Sequence, residues 1–389
     1  MAKGNDREHF ENYREQTRVK HEILAAYLPA YYHILKGRNK NLVFIDGFAG
    51  RGTYTKAGTG EHFDGSPLLA LKLIAAKKDF SEQVSTVFIE SDEELFKVLR
   101  ENVETFYAEN REIREPECLL GTFSDRVNEI MKQVEGKLAP TFLFVDPCGV
   151  SGTSFETIQA VMACDKCEAF IFFNIDGIRR IAGLHELSGV LVELMGTRER
   201  ARALYDELRT TTKVRERERM ILSHYRRAIV EEIGARYVIA FRVEHEDQNK
   251  TSHYFIHATK HSLGFGIMKD VMWRRGHSED HSGALELRQR GRANFAPLFD
   301  LESDEIKQNI LTALKRGPLQ VSRFYDDWVK RPDDVQCESA YRKILLELEA
   351  EGKIEVLSND GKNVTGVESR RKFKGKPTLG KDRFVRLKR

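Results

Sequence analysis

No stretch of this sequence approaches the ~18–20 consecutive apolar residues that a helix needs to cross a bilayer. Its opening, MAKGNDREHFENYREQ, also lacks the apolar centre of a secretory signal. The expectation is a cytoplasmic protein with no membrane partner. Cysteine is scarce as well: Cys118, Cys148, Cys164, Cys167 and Cys337 form an odd, scattered set, which argues for reduced thiols rather than a disulfide framework. Cys164 and Cys167 have zinc-pair spacing, but no second Cys pair or His pair stands at a matching distance. They fall where a helix gives way to a strand, a place where buried cysteine is ordinary. His253, His257 and His261 recur every four residues. That spacing suits a helix, and these lie on a strand and its exit, so no metal is expected. Internal repeats are absent, and so is the clustered Asp/Glu/Lys constellation that holds Mg²⁺ for phosphodiester cleavage.

A charge excess of one sign is missing too, since 63 Lys and Arg face 60 Asp and Glu for a net charge of +3. The distribution is less even. From Arg370 to Arg389 there are ten Lys/Arg against the single acid Asp382, while the remainder is slightly acidic. Such a block could contact phosphates, or it could be a solvated tail.

What the sequence does contain is a core. Hydrophobic residues make up 41% of 389, enough for two domains. Residues 8–36 read as a helix with an apolar face through Val19, Ile23, Leu24, Tyr27, Leu28 and Tyr31, with Pro29 able to kink or split it. Near-continuous apolar runs follow at Asn41–Asp46, Val84–Glu90, Cys118–Leu120, Thr141–Asp146 and Ala169–Ile175, the mark of strands buried on both faces of a parallel sheet. Helical patterns at 67–77, 92–106, 124–135 and 154–163 separate them, the first with Ser66 as cap and Pro67 as opening residue. After a charged helical stretch at 187–233, two strands, Tyr237–Val243 and Ser252–Ala258, are joined by too few residues for a crossover helix and should pair antiparallel. Five parallel strands closed by an antiparallel pair is the plan of class I methyltransferases; a nicotinamide-binding Rossmann domain would add another βαβ unit instead. The expected fold is therefore α/β, a doubly wound seven-strand sheet over residues 1–295. Beyond residue 300, three helices (Ser303–Lys315, Val321–Trp328, Ser339–Glu351) and a β-wing ending at Phe384–Leu387 predict a winged-helix domain over 300–389.

Chemistry should gather where the strands end. Asp46, Gly47, Phe48, Ala49, Gly50 and Gly52 form a turn in which glycine lets backbone approach a ligand, at the carboxyl end of the first parallel strand, where open α/β sheets bind. Glu90, followed by Ser91, ends the second strand and can accept from both ribose hydroxyls of a nucleoside cofactor; Asp92 reads better as a helix cap. The distance from glycines to acid exceeds the ~20 residues usual for that fingerprint, because the loop Thr53–Asp64 intervenes. Thr122 and Phe123 stand where adenine is commonly held, although Ser124 could equally cap the next helix. Asp146-Pro147 ends the fourth strand, where a carboxylate can hold an exocyclic amine toward a sulfonium methyl, and positioning supplies most of such catalysis. Amino-methyltransferases put an aromatic residue two places after the proline to stack a flipped base; here it is Gly149. Cys148 invites the alternative of a thiolate nucleophile. Glu101-Asn102-Val103 also occurs in that class, but here it precedes the Pro-Cys and sits in a helix, a coincidence. Asn174 and Asp176 could complete a polar pocket at the fifth strand end. In the C-terminal part, Arg342, Lys343, Arg370, Arg371, Lys372 and Lys374 are the candidate phosphate contacts, although the helix bearing Arg342 also carries glutamates.

Several of these segments together resemble the three-Cys-motif partner proteins, bacterial methyltransferase-like proteins named for an associated radical-type enzyme. The matching pieces are Phe44–Gly52, Asp64–Leu68, Phe88–Glu90, Asp146–Gly149, His257–His261 and Ile267–Trp273, spread over roughly residues 8–375. The resemblance implies a class I methyltransferase-like fold, an S-adenosylmethionine pocket and a radical-type enzyme partner. The family usually has phenylalanine where Cys148 stands, which counts against a nucleophilic thiol. The expected function is methyl transfer from S-adenosylmethionine to a nucleic-acid base. The alternative is a non-catalytic body that binds the cofactor or a nucleotide and recruits the partner enzyme.

Overall fold

A computed structural model of the chain describes residues 15–55, 60–245, 248–276, 295–297, 303–331, 337–370, 372–373 and 376–388. The expected helical residues 8–14 lie outside them, as do Arg371, Lys374 and the side chain of Lys372.

Helix α1 (Glu15–Leu35) runs unbroken through Pro29, whose ring removes only one backbone hydrogen bond. Its apolar stripe, Val19, Ile23, Leu24, Tyr27, Leu28 and Tyr31, is buried in full. Packing therefore outweighs the proline. The central sheet is built from β1 (Leu42–Asp46), β4 (Val84–Glu90), β5 (Glu117–Leu120), β6 (Thr141–Val145), β7 (Glu168–Phe173), β8 (Tyr237–His245), β9 (Gln248–Thr259) and β10 (Phe295–Pro297). Their order is β10-β8-β9-β7-β6-β1-β4-β5. The five strands from β7 to β5 are parallel, and β9 inserts antiparallel between β7 and β8. The fold is that of a class I methyltransferase. To the seven strands expected, β10 adds an edge strand pairing antiparallel with β8.

Alternation along the strands sends side chains into two cores. Phe44, Phe88, Phe142, Phe144, Phe170 and Phe255 face α1, α2 (Ser66–Ala75), α3 (Glu93–Glu109) and α10 (Ser262–Gly276). Ile45, Ile89, Leu143, Val145 and Ile171 face the other layer: α4 (Phe123–Gln133), α5 (Phe155–Ala163), α6 (Ile175–Ala182), α7 (Gly189–Met195), α8 (Arg198–Leu208) and α9 (Val214–Ile233). The phenylalanines form a row across neighbouring strands, with centroids 6.3 Å apart for Phe44 and Phe142, 6.0 Å for Phe144 and Phe170, and 5.7 Å for Phe170 and Phe255. Each such ring, wholly withdrawn from water, stabilises the fold by about 2–3 kcal/mol. At the amino end of β7, buried Glu168 accepts from Thr259 Oγ1 at 2.8 Å, bonds His257 Nε2 at 3.0 Å and accepts from the Tyr27 hydroxyl. This polar knot ties α1 to the sheet at the edge opposite the strand ends that bear the candidate site.

A separate core lies in the C-terminal residues, around Ile310, Phe324, Tyr341, Leu345, Leu348, Val356 and Val385. The order is α11 (Ser303–Leu314), β11 (Leu319–Gln320), a wide single turn at Arg323–Trp328, α12 (Glu338–Ala350), β12 (Ile354–Leu357) and, after the short pair β13 (Lys372–Phe373) and β14 (Lys376–Pro377), β15 (Phe384–Leu387). The wide turn closes through Val329 N–H to Phe324 O at 3.2 Å, a span of five residues. Strands β11, β15 and β12 form an antiparallel sheet in that order. Lys269 of α10, fully buried, donates to Val329 O at 2.6 Å and joins this core to the first.

Candidate functional site

The turn after β1 is sewn to the strands on both sides. Gly47 N–H bonds Phe144 O at 2.9 Å, Ala49 N–H bonds Ile89 O at 2.9 Å, and Gly50 N–H bonds Glu90 Oε2 at 2.8 Å. Gly50 and Gly52 have φ of 60° and 79°, values that disfavour any side chain. Gly47 is required for a different reason, since a Cβ there would stand 2.6 Å from the Phe123 ring. Residues 53–64, expected as an inserted loop, include a hairpin of β2 (Thr53–Thr55) and β3 (His62–Asp64). It brings Gly65 back onto Gly52, whose carbonyl accepts from Gly65 N–H at 2.8 Å. Gly65, not Ser66, takes the cap position of α2, and Ser66 is the first helical residue. Asn102 of α3 donates to Arg51 O at 2.9 Å and pins the turn from the other side. Asn102 thus has a task that the coincidental Glu-Asn-Val reading did not supply.

Three carboxylates stand at the carboxyl ends of the neighbouring strands β6, β1 and β4, and each is placed differently. Glu90 accepts Gly50 N–H on one oxygen, and Ser91 and Asp92 N–H on the other, all at 2.8 Å. A carboxylate offers about four acceptor positions, so roughly one remains. Burial raises the Glu90 pKa above its ordinary value, partly offset by those backbone bonds. Asp46 is fully buried; its Oδ1 accepts Phe48 N–H at 3.1 Å, and its Oδ2 has no hydrogen-bond partner among the described residues. Burial pushes its pKa up to about 7, with the Ser66 hydroxyl and Phe48 N–H pulling the other way. Asp146 alone has a cation: its Oδ2 is bonded by the ammonium of Lys20, reaching down from α1. Lys20 is 3% exposed and lies 5.1 Å from the centre of the Phe172 ring. Its neighbour His21 is buried, and burial together with Lys20 holds the His21 pKa well below the usual imidazole range. Motif reading did not single out Lys20, though it shares the buried helix face with Leu24, Tyr27 and Tyr31.

The other predicted residues are placed as follows. Thr122, not Ser124, caps α4, accepting Asp125 N–H at 3.2 Å and donating to Asp125 Oδ2 at 2.7 Å. Ser124 instead accepts from the Thr157 hydroxyl at 3.1 Å inside the helical layer. Phe123 is buried beneath Gly47, with its ring 5.4 Å from that of Phe48. Pro147 is buried, Cys148 is exposed, and a Cβ on Gly149 would meet nothing within 4 Å. Asn174 does not end the fifth strand as a free pocket group; it caps α6, accepting Gly177 N–H at 2.9 Å. Asp176 is paired with Arg179 at 3.3 Å. Arg370 is withdrawn from any phosphate, because it is buried and bonded to Glu349 at 2.5 Å. Arg342 pairs with Glu338 at 2.7 Å and lies near the Tyr325 ring, while Lys343 sits 3.9 Å from Glu347; both keep exposed side chains.

No protein-family model matches the chain, and no curated protein matches it. Solved structures do. A Legionella pneumophila protein of family DUF519 aligns over 64% of this chain and 85% of its own, at 10% identity and a TM-score of 0.38. An O-methyltransferase from Bacillus cereus in complex with SAH aligns over 61% and 80%, at 14% identity and a TM-score of 0.31. The methyltransferase domain of bacterial CtHen1 aligns over 61% and 99%, at 10% identity and a TM-score of 0.31. The fold assignment rests on strand order and the antiparallel insertion of β9. No described helix is long and apolar enough to cross a membrane.

Proposed function

We propose that this chain is an S-adenosylmethionine-dependent methyltransferase acting on a nucleic-acid base. The observation that carries the reading is the Lys20–Asp146 pair beside Asp46, whose Oδ2 has no donor among the described residues, at the carboxyl ends of β6 and β1. The cofactor, once bound, supplies an electrophilic methyl group on sulfur. The residues present fit it. Asp46 Oδ2 is a buried acceptor without a donor, suited to the cofactor's ammonium, and the cradle at Gly50 and Gly52 leaves backbone bare. Glu90 keeps one acceptor position for a ribose hydroxyl. Phe123 would back the pocket from beneath Gly47.

The substrate side follows from Lys20. A donor on Asp146 leaves Asp146 Oδ1 as acceptor next to an ammonium that has further N–H groups. An acceptor and a donor side by side complement the edge of adenine or cytosine, which shows an amine beside a ring nitrogen. Asp146 would hold the amine, Lys20 the ring nitrogen, and Phe172 lies below. Pro147 stiffens the strand exit, and Cys148, exposed and outside this pair, has no part in the step. We assign residues 1–295 to the catalytic domain and 300–389 to a winged helix, in which Arg342 and Lys343 are the cations left exposed on α12. A radical-type enzyme partner rests on the family resemblance alone.

A second reading, a non-catalytic body that recruits a partner, is favoured by Gly149, which leaves open space where a stacking ring would stand. Two measurements decide. Calorimetry should show S-adenosylmethionine binding to wild type and not to a folded Gly50→Arg variant; a wild type that binds none removes both readings. Labelled methyl transfer to total RNA and DNA should fall at least ~100-fold in Asp146→Ala, the size of effect for a group that positions the reacting atom. Cofactor binding with no transfer would select the second reading.

A further inference from the structure

A cavity of about 520 Å³ lined by Asp176, Arg179, Arg180, Thr212, Val214 and Arg217 lies outside the pocket just described. We propose that it holds a backbone phosphate of the nucleic acid whose base is presented to Asp146. This deepens the nucleic-acid reading and rests on it.

Three elements converge there. Arg179 and Arg180 lie on α6, Arg217 lies in the first turns of α9, and Thr212 belongs to the connector before α9. The link to the candidate site is Gly177. A Cβ at that position would stand 2.6 Å from Val150 Cγ1, so the start of α6 rests on the loop that leaves Asp146. Arg180 follows three residues later, about 5 Å along the helix. Helix α6 thus touches the loop after Asp146 at Gly177 and lends Arg179 and Arg180 to the cavity.

The three arginines are not equivalent. Arg179 is spoken for: its guanidinium bonds Asp176 at 3.3 Å and Glu218 at 3.1 Å, so it braces the wall with its charge balanced. Arg217 donates to the carbonyls of Leu208 at 2.8 Å and Thr211 at 3.4 Å, bonds that fix the guanidinium without neutralising it. Arg180 reaches only Asp176 O, from Nε at 3.4 Å; its terminal nitrogens have no partner among the described residues. Two guanidinium groups with no carboxylate partner among the described residues suit a phosphate, whose oxygens take their paired N–H groups. Thr212 adds a hydroxyl to the lining. The chain's near-neutral total charge hid this feature, because Arg217 alternates with glutamates and Arg179 and Arg180 follow Asp176.

The test is fluorescence anisotropy with short labelled single-stranded RNA and DNA of one sequence, using wild type, Arg180→Glu, Arg180→Lys and the double variant Arg180→Ala/Arg217→Lys. We expect Arg180→Glu to weaken binding of at least one strand ~10-fold or more, while Arg180→Lys stays within a few-fold. Loss of one phosphate contact should also flatten the slope of log affinity against log salt by about 0.7 in Arg180→Glu. The double variant should weaken binding beyond Arg180→Lys. Calorimetry with S-adenosylmethionine on the same variants should match wild type, which shows that they are folded. Wild-type binding that Arg180→Glu leaves unchanged overturns the cavity assignment alone. No binding of either strand by wild type overturns the nucleic-acid reading together with it. Competition by citrate as effective as by unlabelled oligonucleotide also overturns the assignment, by showing a general anion site.

Discussion

Asp46 combines complete burial with an oxygen that no donor reaches, and its proton is held to about pH 7. Because the folded pKa lies above the ordinary 3.8, the native state binds a proton that the unfolded chain releases between those values. The group's stability contribution is therefore full below about pH 4 and declines as pH rises through 7. Asp46→Asn should gain stability over wild type between pH 4 and pH 8. The ceiling is about 4 kcal/mol, from roughly three pKa units at about 1.4 kcal/mol each. Urea unfolding across that range measures it; a difference independent of pH would show that Asp46 ionises normally. Asp46, Glu90 and Asp146 were legible in the sequence because each closes an apolar run, so strand and acid announce one another. Lys20 was not, because a charged residue is ordinarily assigned to the wet face of a helix. Its spacing from Leu24 and Tyr27 was the available signal.

The elements were read from the same physics with more error at their ends. Phenylalanine-rich runs are unambiguous when both faces are buried, and β1, β4, β6 and β7 fell within a residue or two of expectation. Helix α6 was missed, since IDGIRRIA is short and charged and its cap Asn174 looked like the tail of a strand. Strand β10 was missed because its partner residues on β8 lie some fifty positions earlier, a pairing no local window contains. Gly65 shows what packing adds beyond pattern. Its φ of −79° would suit any residue, yet a Cβ would stand 2.8 Å from the Gly52 backbone. Gly65→Ala should cost about 1–3 kcal/mol by overpacking and loosen the glycine turn, weakening cofactor affinity. Gly149→Ala, with open space around it, should change stability by less than about 0.5 kcal/mol. Thermal melts of the two variants side by side test the contrast, and equal shifts would refute it.

Across the molecule, the two cores meet through a buried cation. Lys269 sits in the Ile267–Trp273 stretch that helped carry the family resemblance, and the structure gives that lysine a physical task. Its ammonium bonds Val329 O and lies 4.4 Å from the Phe265 ring centre. Lys269→Met keeps the aliphatic stem but strands a carbonyl, which costs about 1–3 kcal/mol. Scanning calorimetry should then show the C-terminal unit melting earlier, as a separate shoulder. A single transition displaced as a whole would mean that other contacts couple the cores. Nothing in the sequence hinted at this coupling, because a lysine that crosses between cores looks the same on paper as one in water.

The salt bridge of Lys20 to Asp146 also has a consequence in time. The two residues are 126 positions apart, and α1 lies against α10, which is made later still. During synthesis the helix emerges first, with a lysine whose partner does not yet exist. Only when β6 has entered the sheet and α10 has closed over α1 do the donor and acceptor stand side by side. A nascent or truncated chain therefore holds every glycine of the turn while Lys20 and Asp146 are still apart, so this ion pair forms only with the completion of the fold itself.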